Sequence, residues 1–182
     1  TEGSEFSAGA EREAINLARL LGSHLCIMSV VHGFPEDDAL ALEHLIKKEA
    51  EKANSYLDIV KSKAVEARVK CENILRNGQS PYQEIVNTAE EQQVDLVVMG
   101  RHGKKNMMRF LVGTSTAQVI GNAHCSVLVT PRIAKIEGKN ILLAVDGSPH
   151  SDKATTAAIN LAKRLSAPIT LISVVYSEHK EK

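Results

Sequence analysis

The chain has no tryptophan, and aromatic residues make up only 3% of its 182 positions. The stacking platforms on which single-stranded nucleic-acid binders and flavin carriers depend are therefore scarce. An excess of charge of either sign is also lacking. Twenty-two basic residues balance 22 acidic ones, so no net field draws nucleic acid or an anionic membrane surface, and a polyanion would need a local site. No apolar run approaches the roughly 18 residues of a membrane helix, and the opening Thr-Glu-Gly-Ser has neither the basic nor the apolar part of a secretion signal. These absences set the expectation of a cytoplasmic protein with no nucleic-acid and no membrane partner. Cysteine is sparse too. Cys26, Cys71 and Cys125 are odd in number, widely spaced and without a CxxC pair, which reads as three structural thiols in a reducing compartment. The histidines His24, His32, His44, His124, His150 and His179 form no HExxH or comparable spacing, so no protein-built metal site is expected. Walker A, GxGxxG, GxSxG and paired Cys-His patterns are missing as well, which leaves no named nucleophile or general base.

What is present is an internal repeat. Gly3 to Val31 aligns without gaps on Gly147 to Val175, an offset of 144 residues, with 13 of 29 positions identical, including Ala-Ile-Asn-Leu-Ala and Ser-Val-Val. A duplicated unit of about that length is a typical domain size. Within each copy, apolar positions such as Ala14, Leu17, Ala18 and Leu21 recur at helical spacing, and Leu25 to Val31 reads as a short buried strand. A helix is expected from Asp38 to about Ser62, a strand over Ala67 to Leu75, and a turn at Asn77-Gly78. Ser80-Pro81 reads as a capped helix start, Val94 to Met99 as a strand, Gly113 to Asn122 as a helix and Ser126 to Thr130 as a strand. Such alternation predicts an α/β fold with an open parallel five-stranded sheet and helices on both faces.

The predicted organisation is a domain over residues 1–131 lacking its first strand, a linker over 132–139, and the opening strand-helix-strand of a second repeat over 140–182. Asn140 to Val145, an apolar strand ending at Asp146-Gly147-Ser148, has no counterpart ahead of Glu2-Gly3-Ser4. Two readings stand: residues 140–145 fill the first-strand position of the first copy, within the chain or exchanged with a partner, or the sequence is a piece of a longer chain.

Chemistry concentrates at the end of the Val94 to Met99 strand, where Gly100, Gly103 and Gly113-Thr114-Ser115 form G-x2-G-x9-G-[ST]. Glycines at a strand end admit a sharp turn and the close approach of an oxygen-rich ligand. The third glycine opens a helix whose free N–H groups suit an anion, and the hydroxyls of Thr114 and Ser115 can cap or donate. The carboxyl edge of a parallel sheet is the usual ligand side. His102 could touch phosphate or be a solvated loop residue, and Lys104, Lys105 and Arg109 could neutralise phosphate or form an ordinary basic loop.

This motif, with the chain around it from Glu2 to Arg132, resembles the ATP-binding signature of the universal stress protein family, in which tandem duplication is common. The resemblance implies the adenine nucleotide alpha hydrolase-like fold and a site that binds ATP, with at most weak hydrolysis and with Mg²⁺ carried in on the phosphates. It places the adenosine contact on Asp146 and on its first-copy equivalent Glu2, the adenine pocket on Val31 with its repeat partner Val175, and ribose and phosphates on Gly100, Gly103, Gly113, Thr114 and Ser115. Glu2 departs from the aspartate of the family pattern, and the second copy lacks the glycine loop. The expected role is regulatory or sensory in a stress response, with a homodimer, with or without strand exchange, as the assembly. A slow ATP hydrolase and a nucleotide-free dimeric scaffold built through edge strands such as Ser126 to Thr130 are the alternatives.

Overall fold

A computed structural model describes residues 1–32, 39–101 and 112–174, and of 39–43 the backbone. It is α/β, in two compact units, Thr1–Lys135 and Ile136–Lys182. The first unit runs α1 (Ala8–Leu21), β1 (Leu25–His32), α2 (Ala39–Glu66), β2 (Cys71–Gly78), α3 (Pro81–Glu91), β3 (Leu96–Gly100), α4 (Thr114–Asn122) and β4 (Ser126–Thr130). The second contains β5 (Ile141–Ala144), α5 (Pro149–Leu165) and β6 (Ile169–Ile172).

The described strands pair in parallel two by two: β1 with β2, β3 with β4, β5 with β6. The expected parallel pairing is therefore present, as three two-stranded sheets among the described residues. The partner of β5 is β6, so residues 141–144 are paired inside the second unit.

Alternation along β1 explains how its faces are covered. Ile27 belongs to a buried cluster with Ile15 and Ala18 of α1 and Leu57, Val60 and Ala64 of α2, against which Leu25, Cys71 and Leu75 pack. Leu57 and Val60 are almost wholly excluded from solvent, and burying each stabilises the unit by roughly 1.5–3 kcal/mol. Arg76, the neighbour of Leu75 on β2, points the other way, and its Nε donates to Thr88 Oγ1 of α3 at 3.0 Å. Thus helices cover both faces of the β1–β2 pair. The α2 to β2 boundary differs from the sequence expectation. Arg68 takes a left-handed φ of 61° and Val69 N donates to Ala64 O at 2.9 Å, so residues 67–69 close the helix and the strand starts at Cys71. Asn77 and Gly78 form no turn either, because they continue the ladder opposite Val31 and His32.

Residues 132–134, which open the expected linker over 132–139, are held against the first unit. Arg132 pairs with Glu5 at 2.5 Å, and Arg12 Nη2 donates to the carbonyls of Arg132 and Ala134. Gly9 permits this approach: a Cβ there would stand 2.4 Å from Pro131 O.

The repeat is visible in the backbone. Gly3 and Gly147 both take positive φ, 67° and 79°. Thr1 N donates to Met28 O at 2.6 Å, the position that Val145 N to Ile172 O holds at 2.9 Å in the second unit. The helices α1 and α5 end on equivalent left-handed residues, Gly22 (φ 64°) and Ser166 (φ 52°). Only glycine adopts this conformation without crowding its own Cβ. We therefore expect Ser166→Gly to stabilise the chain by about 1 kcal/mol, read as a raised urea midpoint. Gly9→Ala should cost roughly 1–3 kcal/mol by forcing the 131–132 backbone away from α1, measured in the same way.

Candidate functional site

The site region begins where β3 ends. Gly100 closes the strand opposite Thr130, and Arg101 N continues the ladder by donating to Thr130 O at 3.2 Å. The chain returns at Gly113, whose N–H donates to Arg101 O at 2.8 Å, so the loop is pinched at its base. The first turn of α4 is tied down by Thr116, a buried residue whose Oγ1 donates to Gly100 O at 3.0 Å. Thr114 and Ser115 occupy that same turn and are exposed. Gly113 is buried at the N-cap and contributes no side-chain acceptor, leaving the first N–H groups of the helix without a capping side chain.

Neither Gly100 nor Gly113 is among the positive-φ glycines of the described residues. Gly113 has φ −61° and ψ 150°, which any residue adopts. Gly113 opens α4 as expected, as its N-cap, and at Gly100 the absence of a Cβ leaves room for a close approach without a left-handed backbone. His102 and Gly103, with Lys104, Lys105 and Arg109, lie outside the described residues.

Val31 lies near the carboxyl end of β1, buried, opposite Asn77. Glu2 is exposed and accepts from Ser4 Oγ at 2.7 Å. In the second unit Asp146 accepts from Ser148 N at 2.9 Å, and the Ser148 hydroxyl and N–H hold its carboxyl below the usual carboxylate range. Both carboxylates engage the serine two residues on. Asp146 engages both the N–H and the hydroxyl of its serine, whereas Glu2 accepts from the Ser4 hydroxyl. The structure brings Glu2, Val31, Gly100, Gly113, Thr114 and Ser115 into the first unit and puts Asp146 in the second.

Sequence reading missed the polar hub beneath Glu2-Gly3. Glu11, buried, accepts from Ser7 Oγ at 2.8 Å, from Thr1 Oγ1, and from Tyr56 OH, which lies 2.9 Å from each carboxylate oxygen. The Tyr56 ring also packs under Gly3, with Cγ 3.1 Å from where a Cβ would be. A signal existed: Glu11 falls on the stripe of Ala14 and Ala18, and a carboxylate on an apolar stripe needs donors. The three cysteines all lie among the described residues. All three are unpaired with one another. Burial, then the facing Glu72, pushes Cys26 up to about 11, and burial also raises Cys125, so neither is a reactive thiolate at neutral pH.

The sequence pattern of the universal stress protein family matches residues 1–131 and 138–182. The chain belongs to that family. Among its relatives, universal stress protein MJ0531 of Methanocaldococcus jannaschii is 37% identical over 141 residues, covering 74% of this chain and 81% of the relative. Universal stress protein YxiE of Bacillus subtilis is 30% identical over 141 residues, 70% of this chain and 93% of that one. The solved structure of protein MJ0577 of M. jannaschii is 27% identical and superposes with a TM-score of 0.57, over 71% of this chain and 92% of that chain. A universal stress protein from Archaeoglobus fulgidus, 22% identical, shares the fold over 94% of this chain and 64% of its own, with a TM-score of 0.74. No helix among the described residues of this universal stress protein is long and apolar enough to cross a membrane.

The hub makes a testable statement about pH. Burial and the Glu11 carboxylate push the Tyr56 phenol up to about 12, against about 10 in an unfolded chain. The folded state thus holds this proton more tightly. Its contribution is complete below pH about 10 and is lost as pH rises toward the folded value. Urea midpoints measured between neutral pH and strong alkali should fall more steeply for the wild type than for Tyr56→Phe. At neutral pH that variant should be less stable by about 1–2 kcal/mol.

Proposed function

We propose that this universal stress protein binds ATP in a regulatory or sensor role in the stress response of the cytoplasm, at the loop between β3 and α4. The observation that carries the reading is the opening of α4 at the carboxyl end of β3: a buried, side-chain-free N-cap at Gly113, then two exposed hydroxyls at Thr114 and Ser115, on a loop pinched by the Gly113 to Arg101 bond. Free N–H groups, the positive end of the helix and adjacent hydroxyls are what a polyphosphate requires. Family likeness supports assigning ribose and phosphates to Gly100, Gly103, Gly113, Thr114 and Ser115, with His102 beside them. Val31 then lines the adenine pocket, and Glu2 in the first repeat, or Asp146 in the second, contacts adenosine. Mg²⁺ enters with the nucleotide.

In this reading the strand pairs belong to one open five-stranded parallel sheet per repeat, with a strand between β1 and β3 in the position that β5 holds beside β6. The bond from Thr1 N to Met28 O, equivalent to that from Val145 to Ile172, supports that position. Residues 1–131 form the first repeat, 132–139 connect, and 140–182 open the second. The working assembly is a homodimer, with strand exchange as one form of it.

Calorimetric titration of the purified chain with Mg-ATP tests the proposal. Saturable binding is expected, and Gly113→Val should abolish it. Because φ −61° and ψ 150° suit valine, the substitution blocks phosphate approach without straining the backbone. Absence of wild-type binding would put the scaffold reading in front, and steady release of more than one equivalent of product per site would favour the hydrolase.

A further inference from the structure

The nucleotide reading leaves unused a cluster at the amino-terminal end of the β1–β2 pair. His24 immediately precedes β1, and Cys26 lies two residues on, hence on the same face. Glu72 is the register partner of Cys26 on β2. Cys26 Sγ stands 3.4 Å from Glu72 Oε1 and 3.9 Å from His24 Nδ1, and His24 Nδ1 stands 3.9 Å from Glu72 Oε1. A tetrahedral ion with bonds of about 2.0–2.3 Å to N, O and S holds its ligand atoms roughly 3.3–3.8 Å apart. The three atoms already form a triangle of nearly that size, and closing it needs side-chain shifts of only tenths of an ångström.

We propose that His24, Cys26 and Glu72 bind a zinc-class divalent ion through three protein ligands, with the fourth position open to water. The donor set decides the class of ion. Thiolate and imidazole suit zinc and its neighbours, whereas magnesium and calcium take oxygen donors. On binding, the Cys26 S–H bond breaks, its proton goes to solvent, and a metal–sulfur bond forms with no change of oxidation state. The side chains of His24 and Glu72 are 52% and 49% exposed, which gives the ion a path from solvent. Cys26 and Glu72 are held opposite each other by the parallel ladder, so two ligands are positioned by backbone. The cluster stands at the amino-terminal end of β1 and β2, whereas the β3–α4 connection leaves the carboxyl end of β3; in the five-stranded reading proposed above these are opposite edges, and ion and nucleotide need not compete.

The test uses the full chain, reduced and metal-free. Zn²⁺ alone is titrated in competition with a chromophoric chelator, and Co²⁺ alone is added for its spectrum. One equivalent of zinc should bind, and cobalt should show a near-ultraviolet sulfur-to-metal band that Cys26→Ser removes. Glu72→Gln and His24→Ala should each weaken zinc binding by at least the roughly 10–100-fold that even an outer-shell loss costs, while Cys71→Ser and Cys125→Ser leave it unchanged. Failure of the wild type to compete for zinc overturns the assignment, as does a cobalt–sulfur band that survives Cys26→Ser or disappears in Cys125→Ser. Circular dichroism separates loss of fold from loss of a ligand. Should Cys26→Ser not fold, Glu72→Gln decides, because zinc affinity equal to the wild type in that variant also overturns the site.

Discussion

Because β1 and β2, β3 and β4, and β5 and β6 all pair in parallel, each strand must be joined to its partner by a helical crossover, and both carboxyl ends of a pair fall on the same edge. The rest of the structure follows from that requirement. It makes α2, α4 and α5 obligatory, and it presents apolar residues of β1 and β2 to helices on both sides. The connections after β1 and β3 each leave from the carboxyl end of a parallel strand, the usual ligand side of such folds. Gly113 and the first turn of α4 follow β3 in that position.

The same geometry sorts the polar groups by cost. A carboxylate buried like Glu11 is tolerable only with donors, and its three hydroxyl partners come from Thr1, from Ser7 at the N-cap of α1 and from Tyr56 of α2. Those bonds join elements that apolar packing alone would leave free to slide, since dispersion is indifferent to small shifts of register whereas a hydrogen bond is not. Tyr56 does two jobs there: its hydroxyl satisfies Glu11, and its ring supports the left-handed turn at Gly3. The Glu2-Gly3-Ser4 turn is thereby built on the core.

Repetition within one chain offers an internal comparison. Positions 144 residues apart adopt equivalent left-handed turns at Gly3 and Gly147 and equivalent caps at Gly22 and Ser166. Where the residues differ, the contacts differ in the direction their chemistry requires. Glu2 reaches a hydroxyl and Asp146 a backbone N–H, and Gly9 accepts a close approach by Pro131 that the lysine at its equivalent, Lys153, could not.

Local information was enough for what depends on periodicity and punctuation. The strands Leu25–His32 and Ser126–Thr130, the Ser80-Pro81 helix start, the α/β class and the glycine pattern were legible because their residues are neighbours in the chain and their spacing is dictated by helix or strand geometry. Boundaries such as Arg68 closing α2 were not, since a non-glycine residue in the left-handed region is chosen by the packing around it. Nor were the groupings made by residues remote in sequence. Glu11 with Tyr56 and Cys26 with Glu72 are 45 and 46 residues apart, and no spacing rule links them. By itself the sequence determined which elements form and which loop carries the glycines; only the tertiary structure decided which side chains meet, because strand register and helix packing, not chain order, set those distances.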